Sequence, residues 1–127
     1  MAKPNVKILA DSVILIDHLN GVAAATDYLR RMGGAIAISA ITRAEVLTGF
    51  EPRGRRLPRR FLDQFPLIVI DREVTDLAAT LRHKYGWKMP DAIQAAAAKH
   101  HRLKLATRDV ADFPPNRHRF VVVPYSL

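Results

Sequence analysis

The chain alternates short runs of consecutive apolar residues with longer segments in which apolar residues recur every three or four positions. Continuous apolar runs are typical of strands buried on both faces of a parallel sheet, and the longer segments have the period of amphipathic helices. The pattern predicts five strands, at residues 6–10, 35–39, 67–71, 103–107 and 119–124. Because helical segments separate most of these strands, we expect an α/β protein with a mainly parallel five-stranded sheet.

The predicted helices are bounded by glycines and by changes in composition. They cover residues 12–21, 22–34, 40–50, 61–65, 72–86 and 88–100. Glycine is a common helix-stop residue, and it ends three of these segments, at Gly21, the Gly-Gly pair of 33–34 and Gly86. Residues 51–60, "EPRGRRLPRR", are predicted to be a basic connection interrupted by proline and glycine.

Composition narrows the class of protein. A length of 127 residues and the lack of a long linker favour one domain over residues 1–127. The sequence has no cysteine and no apolar run long enough for a membrane helix, so we expect a cytoplasmic protein without membrane contact. The formal net charge of +8 is typical of proteins that bind nucleic acid or an acidic protein, although solubility alone also explains it.

Acidic residues lie near the predicted carboxyl ends of the strands. Asp11 follows the first strand, and Glu45 lies in the helix after the second. Asp91 lies at the start of the helix before the fourth strand, and Asp109 and Asp112 follow that strand. Ligands of open α/β sheets bind at this edge, where connections of the usual hand bring such segments together. A cluster of carboxylates there is suited to a hard divalent cation such as Mg²⁺.

Each of these acids also has an ordinary structural explanation. Asp11 and Asp109 are good N-cap residues for helices that follow them. Thr42 and Glu45 have the spacing of a capping box, in which Glu45 bonds a backbone N–H. Asp91 complements the helix dipole in a first helical turn. Spacing alone leaves the structural and the metal-binding interpretations open.

Four segments resemble, in order, the motifs of PIN-domain nucleases. They are "ILADSVILIDHL" with Asp11, "ISAITRAEVLTG" with Glu45, "MPDAIQAAAA" with Asp91 and "LATRDVADF" with Asp109. Order and spacing match over nearly the whole chain, and the similarity is greatest to the VapC toxins of bacterial and archaeal toxin–antitoxin pairs. The resemblance implies a PIN-like three-layer α/β/α fold.

It also implies an endoribonuclease that depends on Mg²⁺ or Mn²⁺, is usually a homodimer and is neutralised by a VapB-type antitoxin. The implied catalytic and metal-binding residues are Asp11, Glu45, Asp91 and Asp109. Ser12 and Thr107 are implied as supporting polar groups. Because the family often has Asn at the fourth motif's acidic position, Asp112 is a second candidate for the fourth acid.

Basic residues are concentrated after the second motif. The candidates for RNA or antitoxin contact are Arg43, Arg53, Arg55 and Arg56. Arg43 precedes Glu45 by two residues and is expected to reach the site. A solvated loop and helix face is the alternative interpretation of the arginine run.

Two other functions compete with a nuclease. A receiver-like phosphoacceptor domain would use Asp71 after the third strand, with Asp11 and Thr107 nearby, but the fifth strand lacks the lysine that such a domain needs. A non-catalytic module that binds RNA or protein is the third possibility. The four acids argue against it, since binding alone does not require them.

Overall fold

The computed structural model describes residues 5–127, which form a parallel sheet covered by helices. Within these residues the strands are β1 Ile8–Ala10, β2 Ile36–Ser39, β3 Leu67–Ile68, β4 Lys104–Ala106 and β5 Val121–Val122. The α-helices are α1 Ser12–Leu19, α2 Ala23–Met32, α3 Ala40–Thr48, α4 Arg56–Leu62, α5 Arg72–Tyr85 and α6 Met89–His100. Short 3₁₀ turns occupy Gly33–Ala35 and Pro52–Gly54.

The five strands are ordered β3-β2-β1-β4-β5, and every neighbouring pair is parallel. The central strand β1 places Leu9 beside Ala37 of β2 and beside Leu105 of β4. The carboxyl ends of β1 and β4 therefore lie side by side. The strand order confirms the predicted mainly parallel five-stranded sheet.

The sheet separates two hydrophobic cores. Successive side chains of a strand point to opposite faces, and in β1 Leu9 joins one core while Ile8 and Ala10 join the other. Helices α5 and α6 cover the face of Leu9, and α1 to α4 cover the opposite face. The result is the predicted three-layer α/β/α architecture.

Helix α6 is the most buried helix. Its alanines are fully inside the core, as expected for a helix whose small side chains allow close approach to neighbours: Ala92, Ala95, Ala96, Ala97 and Ala98. Its main partner is α5, which ends at Gly86 in the left-handed conformation, with φ of 71°. This packing fixes the first turn of α6, where Asp91 lies.

The structure corrects the predicted bounds of three elements. Helix α4 begins at Arg56, inside the predicted basic connection, and ends at Leu62 instead of continuing to 65. Pro58 is tolerated because it lies in the first turn, where a backbone N–H has no partner within the helix. Strands β3 and β5 pair over only two residues each, since both lie at edges of the sheet and have one neighbour.

The topology also excludes the receiver-like alternative. Receiver-like sheets have the order 2-1-3-4-5, whereas this sheet has the order 3-2-1-4-5. Asp71 follows the edge strand β3 and caps α5, where its carboxylate accepts a hydrogen bond of 3.0 Å from the Val74 amide.

Among the helices of residues 5–127, none has the length and apolar character needed to cross a membrane.

Candidate metal centre

A cleft of about 510 Å³ opens at the carboxyl ends of β1 and β4. Its lining includes all four acids of the sequence motifs and one arginine: Asp11, Ser12, Val13, Glu45, Asp91, Arg108, Asp109, Val110 and Ala111. Four separate segments of the chain contribute the acids. The parallel topology brings them together because β1 and β4 are neighbours and α3 and α6 flank them.

Asp11 occupies the N-cap position of α1 and is 9% exposed. One carboxylate oxygen, Oδ1, accepts a hydrogen bond of 2.9 Å from the Ser12 amide. The other, Oδ2, accepts one of 2.8 Å from the Thr107 hydroxyl. The same residue thus serves as a helix cap and as a wall of the cleft, so the two interpretations of its sequence position are compatible.

The sequence motifs gave no reason to single out Gln94, yet its side chain is almost completely buried. It is 1% exposed, and its Nε2 donates to Asp11 Oδ1 at 3.1 Å and to Thr42 Oγ1 at 2.7 Å. Its Oε1 accepts a 2.5 Å hydrogen bond from the Ser39 hydroxyl. Gln94 follows Asp91 by three residues, so this spacing on one helix face was the only signal in the sequence.

Thr107 links two acids of the cleft. Its hydroxyl donates to Asp11 and accepts a hydrogen bond of 3.0 Å from the backbone amide of Asp109. Thr107 is fully buried. A single hydroxyl therefore fixes the direction of the Asp11 carboxylate and the path of the chain that carries Asp109.

Asp91, Asp109 and Asp112 form the tightest group of acids. One carboxylate oxygen from each lies within 4.8 Å of the others. Burial and then the neighbouring Asp112 carboxylate raise the pKa of Asp91 to about 6, with smaller contributions from Asp11 and Asp109. The part of the shift that comes from Asp112, Asp11 and Asp109 reflects repulsion between the carboxylates of the cleft.

The fourth motif does not start a helix. Asp109 Oδ1 instead accepts a hydrogen bond of 3.2 Å from the Asp112 amide in a turn. The Asp112 carbonyl accepts a hydrogen bond of 2.7 Å from the Trp87 indole, which anchors this turn to the segment before α6. Both acids are thereby held beside Asp91, and either is placed to serve as the fourth acid.

Glu45 approaches the cleft from α3. The predicted capping box is wrong, because Ser39 is the N-cap of α3 and its hydroxyl accepts from the Thr42 amide at 3.1 Å. Glu45 lies in the second turn, where it caps nothing. Partial burial of its carboxyl group raises its pKa, the nearby Ser12 hydroxyl lowers it, and the Asp11 carboxylate raises it further.

The arginines singled out in the sequence lie outside this cleft lining. Arg43 pairs with Asp63 at 2.8 Å, beyond the end of α4. Arg55 is held by backbone carbonyls at the end of α3, since its Nε donates to Leu47 and Phe50. Arg53 and Arg56 are exposed on the following turn and helix.

The arginine that does line the cleft is Arg108, which the sequence motifs did not identify. Its Nε and Nη2 donate to the Asp17 carboxylate at 2.6 and 2.9 Å. The Tyr125 hydroxyl donates to the same carboxylate at 2.8 Å. The hydrogen bond from Arg108 holds the pKa of Asp17 below its usual value, although burial opposes the shift.

The donor set fits a hard divalent cation. The acids offer only oxygen atoms, which are the ligands that Mg²⁺, Mn²⁺ and Ca²⁺ prefer. The close approach of three carboxylates, with a raised pKa at Asp91, also favours a cation between them. Asp11 and Glu45 line the same cleft and can complete the coordination directly or through water.

Similarity to known proteins agrees with the geometry. The profile of the PIN domain matches residues 8–114. The protein Ribonuclease VapC10 of Mycobacterium tuberculosis (strain CDC 1551 / Oshkosh) is 38% identical over 114 residues, which cover 84% of this chain and 86% of the relative.

Two solved structures contain similar chains. A chain of a toxin–antitoxin complex from Klebsiella pneumoniae has a TM-score of 0.86 and 36% identity, covering 95% of this chain and all of that one. A chain of FitAcB from Neisseria gonorrhoeae has a TM-score of 0.78 and 26% identity, covering 94% and 99% of the two chains. The profile match and the identity to VapC10 together show that this chain belongs to the PIN domain family.

Proposed function

We propose that this chain is a VapC-type toxin, an endoribonuclease that cleaves RNA phosphodiester bonds with Mg²⁺ or Mn²⁺. The observation that carries the proposal is the meeting of Asp11, Glu45, Asp91 and Asp109 at one cleft. A carboxylate cluster without a compensating cation would be electrostatically unfavourable, and a bound divalent cation would offset its negative charge. The name of the 38% identical relative, a ribonuclease, supports the same reaction.

The four acids would hold the metal, with Asp112 as a fifth oxygen ligand or as a substitute for Asp109. When bound, the ion supplies positive charge at the phosphodiester and lowers the pKa of a coordinated water. The chain contributes the orientation of the ligands. Gln94 and Thr107 direct opposite oxygens of Asp11, so that carboxylate cannot rotate away from the cleft.

The proposed partners are an RNA substrate and a VapB-type antitoxin. The net charge of +8 supports binding to RNA. The similar chain from Klebsiella pneumoniae was solved in a toxin–antitoxin complex, which supports an antitoxin partner here. Exposed arginines such as Arg53 and Arg56 would contact the RNA backbone or the antitoxin. A homodimer, one domain over residues 1–127 and a cytoplasmic location complete the proposal.

RNA cleavage by protein purified free of antitoxin tests this function. We expect cleavage with Mg²⁺ or Mn²⁺ and its loss in excess EDTA. Asp11→Asn and Asp91→Asn should each reduce the rate by at least about 100-fold, since even indirect partners of metal ligands contribute 10- to 100-fold. Asp76→Asn is the matched control, because Asp76 is exposed on α5, outside the cleft lining.

The outcomes separate the nuclease from the remaining alternative. Full activity of both cleft variants, or activity that persists in EDTA, would refute the proposed mechanism. Metal-independent RNA binding without cleavage by the folded wild-type protein would instead identify a non-catalytic binding module. Circular dichroism of each variant shows whether a loss of cleavage reflects a loss of folding.

A further inference from the structure

We propose that Arg108 is a substrate-binding residue that anchors an RNA phosphate beside the scissile bond, and that Asp17 and Tyr125 position it. This inference rests on the proposed nuclease function and assigns the contact that holds the substrate in the acidic cleft. Arg108 follows Thr107 and precedes Asp109, so any phosphate it binds lies next to the carboxylate cluster.

The Arg108 side chain is held in one orientation. Its planar guanidinium makes a two-point contact with the Asp17 carboxylate, at 2.6 and 2.9 Å. The Asp17 side chain is only 8% exposed, whereas that of Arg108 is 34% exposed. The buried partner therefore fixes the exposed one, and a flexible surface side chain becomes a preorganised group.

Tyr125 is the third side chain of this arrangement. It lies three residues after β5, and its hydroxyl donates to Asp17 Oδ2 at 2.8 Å. Asp17 thus accepts from two side chains that come from different parts of the chain. The C-terminal segment and helix α1 together support the arginine at the end of β4.

The pairing of Arg108 with Asp17 explains why its guanidinium does not neutralise the carboxylates of the cleft. An arginine beside several carboxylates would normally bind one of them. Among the ion pairs of residues 5–127, that of Arg108 is with Asp17 on α1 and not with a carboxylate of the cleft. Asp17 therefore keeps the guanidinium away from the acids that would hold the metal, while the side chain still lines the same cleft.

A phosphate is the ligand that fits the exposed part of this side chain. The contact with Asp17 uses two of the five N–H groups of a guanidinium. The remaining donors lie on a planar cation that matches the geometry of phosphate oxygens. The cleft is lined otherwise by carboxylates, apolar residues and Ser12, so among its lining residues Arg108 is the cation that can offset the charge of an incoming RNA backbone.

Steady-state cleavage and RNA binding of Arg108→Ala test the proposal, with Arg108→Lys as the conservative variant. We expect Arg108→Ala to raise KM by about 10-fold, which corresponds to the loss of a hydrogen bond between charged groups. The change in kcat should be smaller. Arg108→Lys should recover part of the affinity, because it keeps the charge but not the two-point geometry. Lys104→Ala is the control, since it removes one exposed charge at the opposite end of β4 and should leave KM unchanged.

A binding measurement separates anchoring from catalysis. In the Asp91→Asn background, the affinity for a fluorescein-labelled single-stranded RNA of mixed sequence is measured at several salt concentrations. Adding Arg108→Ala should weaken binding by about 10-fold and reduce the slope of log affinity against log salt by about 0.7, the loss of one phosphate contact. Asp17→Asn should also weaken binding, but by less, because the arginine remains and only its support is lost.

A purely structural role for Arg108 would give a different pattern. Arg108→Ala would then lower thermal stability and kcat while leaving KM, RNA affinity and the salt slope at wild-type values. That result would overturn the proposal even if the wild-type protein cleaves RNA. If the wild-type protein binds RNA without cleaving it, the nuclease function fails, and the binding measurement still decides whether Arg108 contacts a phosphate. If it neither binds nor cleaves RNA, both proposals fail.

Discussion

Gln94 donates a hydrogen bond from Nε2 to Oδ1 of Asp11 at 3.1 Å, which joins the middle of α6 to the end of β1. Gln94 lies three residues after Asp91, and therefore nearly above it on the same face of the helix. Helix α6 therefore positions two acids from distant parts of the sequence: Asp91, which it carries, and Asp11, which Gln94 contacts. A shift of α6 would move Asp91 and release Asp11 together.

Replacement of Gln94 by Ala should destabilise the protein. The substitution leaves Ser39 and Thr42 without their buried partner and opens a cavity, so we expect the free energy of unfolding to fall by about 2–3 kcal/mol. Urea denaturation measures this loss. Gln64→Ala is the control, because Gln64 is exposed and should change stability by less than about 0.5 kcal/mol. Equal stability of the two variants would show that the buried amide network contributes nothing.

Replacement of Thr107 by Val should reduce cleavage. Valine has a similar shape but lacks the hydroxyl that donates to Asp11 and accepts from the Asp109 amide. We expect an activity loss of about 10- to 100-fold, as for other groups that orient metal ligands. Thr107→Ser keeps the hydroxyl and should retain most activity. A Val variant as active as the Ser variant would mean that this hydroxyl does not orient the site.

The stability of the metal-free protein should depend on pH through Asp91. Its pKa is raised to about 6, so the folded protein binds its proton more tightly than the unfolded chain does. This term stabilises the fold fully below the unfolded pKa of about 4 and is lost as the pH rises towards and through 6. Allowing for solvent screening, the difference between pH 7 and pH 4 is about 1–2 kcal/mol.

Comparison with Asp91→Asn isolates this contribution. Other carboxylates also titrate in the same range, and the lowered pKa of Asp17 acts in the opposite direction. The Asn variant lacks the Asp91 term, so it should lie above the wild type in stability at pH 7 and approach it as the pH falls. Parallel curves for the two proteins between pH 4 and pH 7 would contradict the raised pKa.

Replacement of Asp17 by Asn should cost much more stability than loss of an exposed ion pair. It removes the carboxylate that accepts from both Arg108 and Tyr125. Because Asp17 is buried but Arg108 is partly exposed, we expect a cost of about 2–3 kcal/mol, between the values for exposed and fully buried pairs. Asp63→Asn removes the exposed pair with Arg43 and should cost about 1 kcal/mol or less. Chemical denaturation of the two variants tests the difference. A small loss for Asp17→Asn would mean that the buried contact is not a structural support.

The sequence predicted the sheet well where strands are buried on both faces. The continuous apolar runs of β1, β2 and β4 leave few alternatives, since a helix of that length would expose apolar residues. The ends of β3 and β5 were wrong because an edge strand has only one hydrogen-bonding neighbour, and local sequence does not reveal where that neighbour ends. Helix α4 was wrong at its start because Pro58 was taken as an interruption, although a first helical turn accepts proline.

The residues of the candidate site were likewise only partly predictable from the sequence. The acids could be found from the sequence because four motifs in a fixed order carry them. Gln94 was missed, although it lies three residues after Asp91, because a glutamine among alanines on a helix is also compatible with a solvent-exposed position. The pairing of Arg43 with Asp63 and of Arg108 with Asp17 was also hidden, because nothing local tells which of two arginines beside an acidic residue reaches the cleft.

By itself, the sequence determined the alternation of strands and helices, the parallel sheet and the set of acids at its carboxyl end. These follow from hydrophobic periodicity and from motif spacing, which are local properties of the chain. Tertiary structure alone decided which polar groups are buried together, as in the contacts of Gln94 with Asp11 and of Asp17 with Arg108 and Tyr125. The physical reason is that a buried polar side chain must find its partners wherever packing brings them, and here those partners lie up to 108 positions away along the chain.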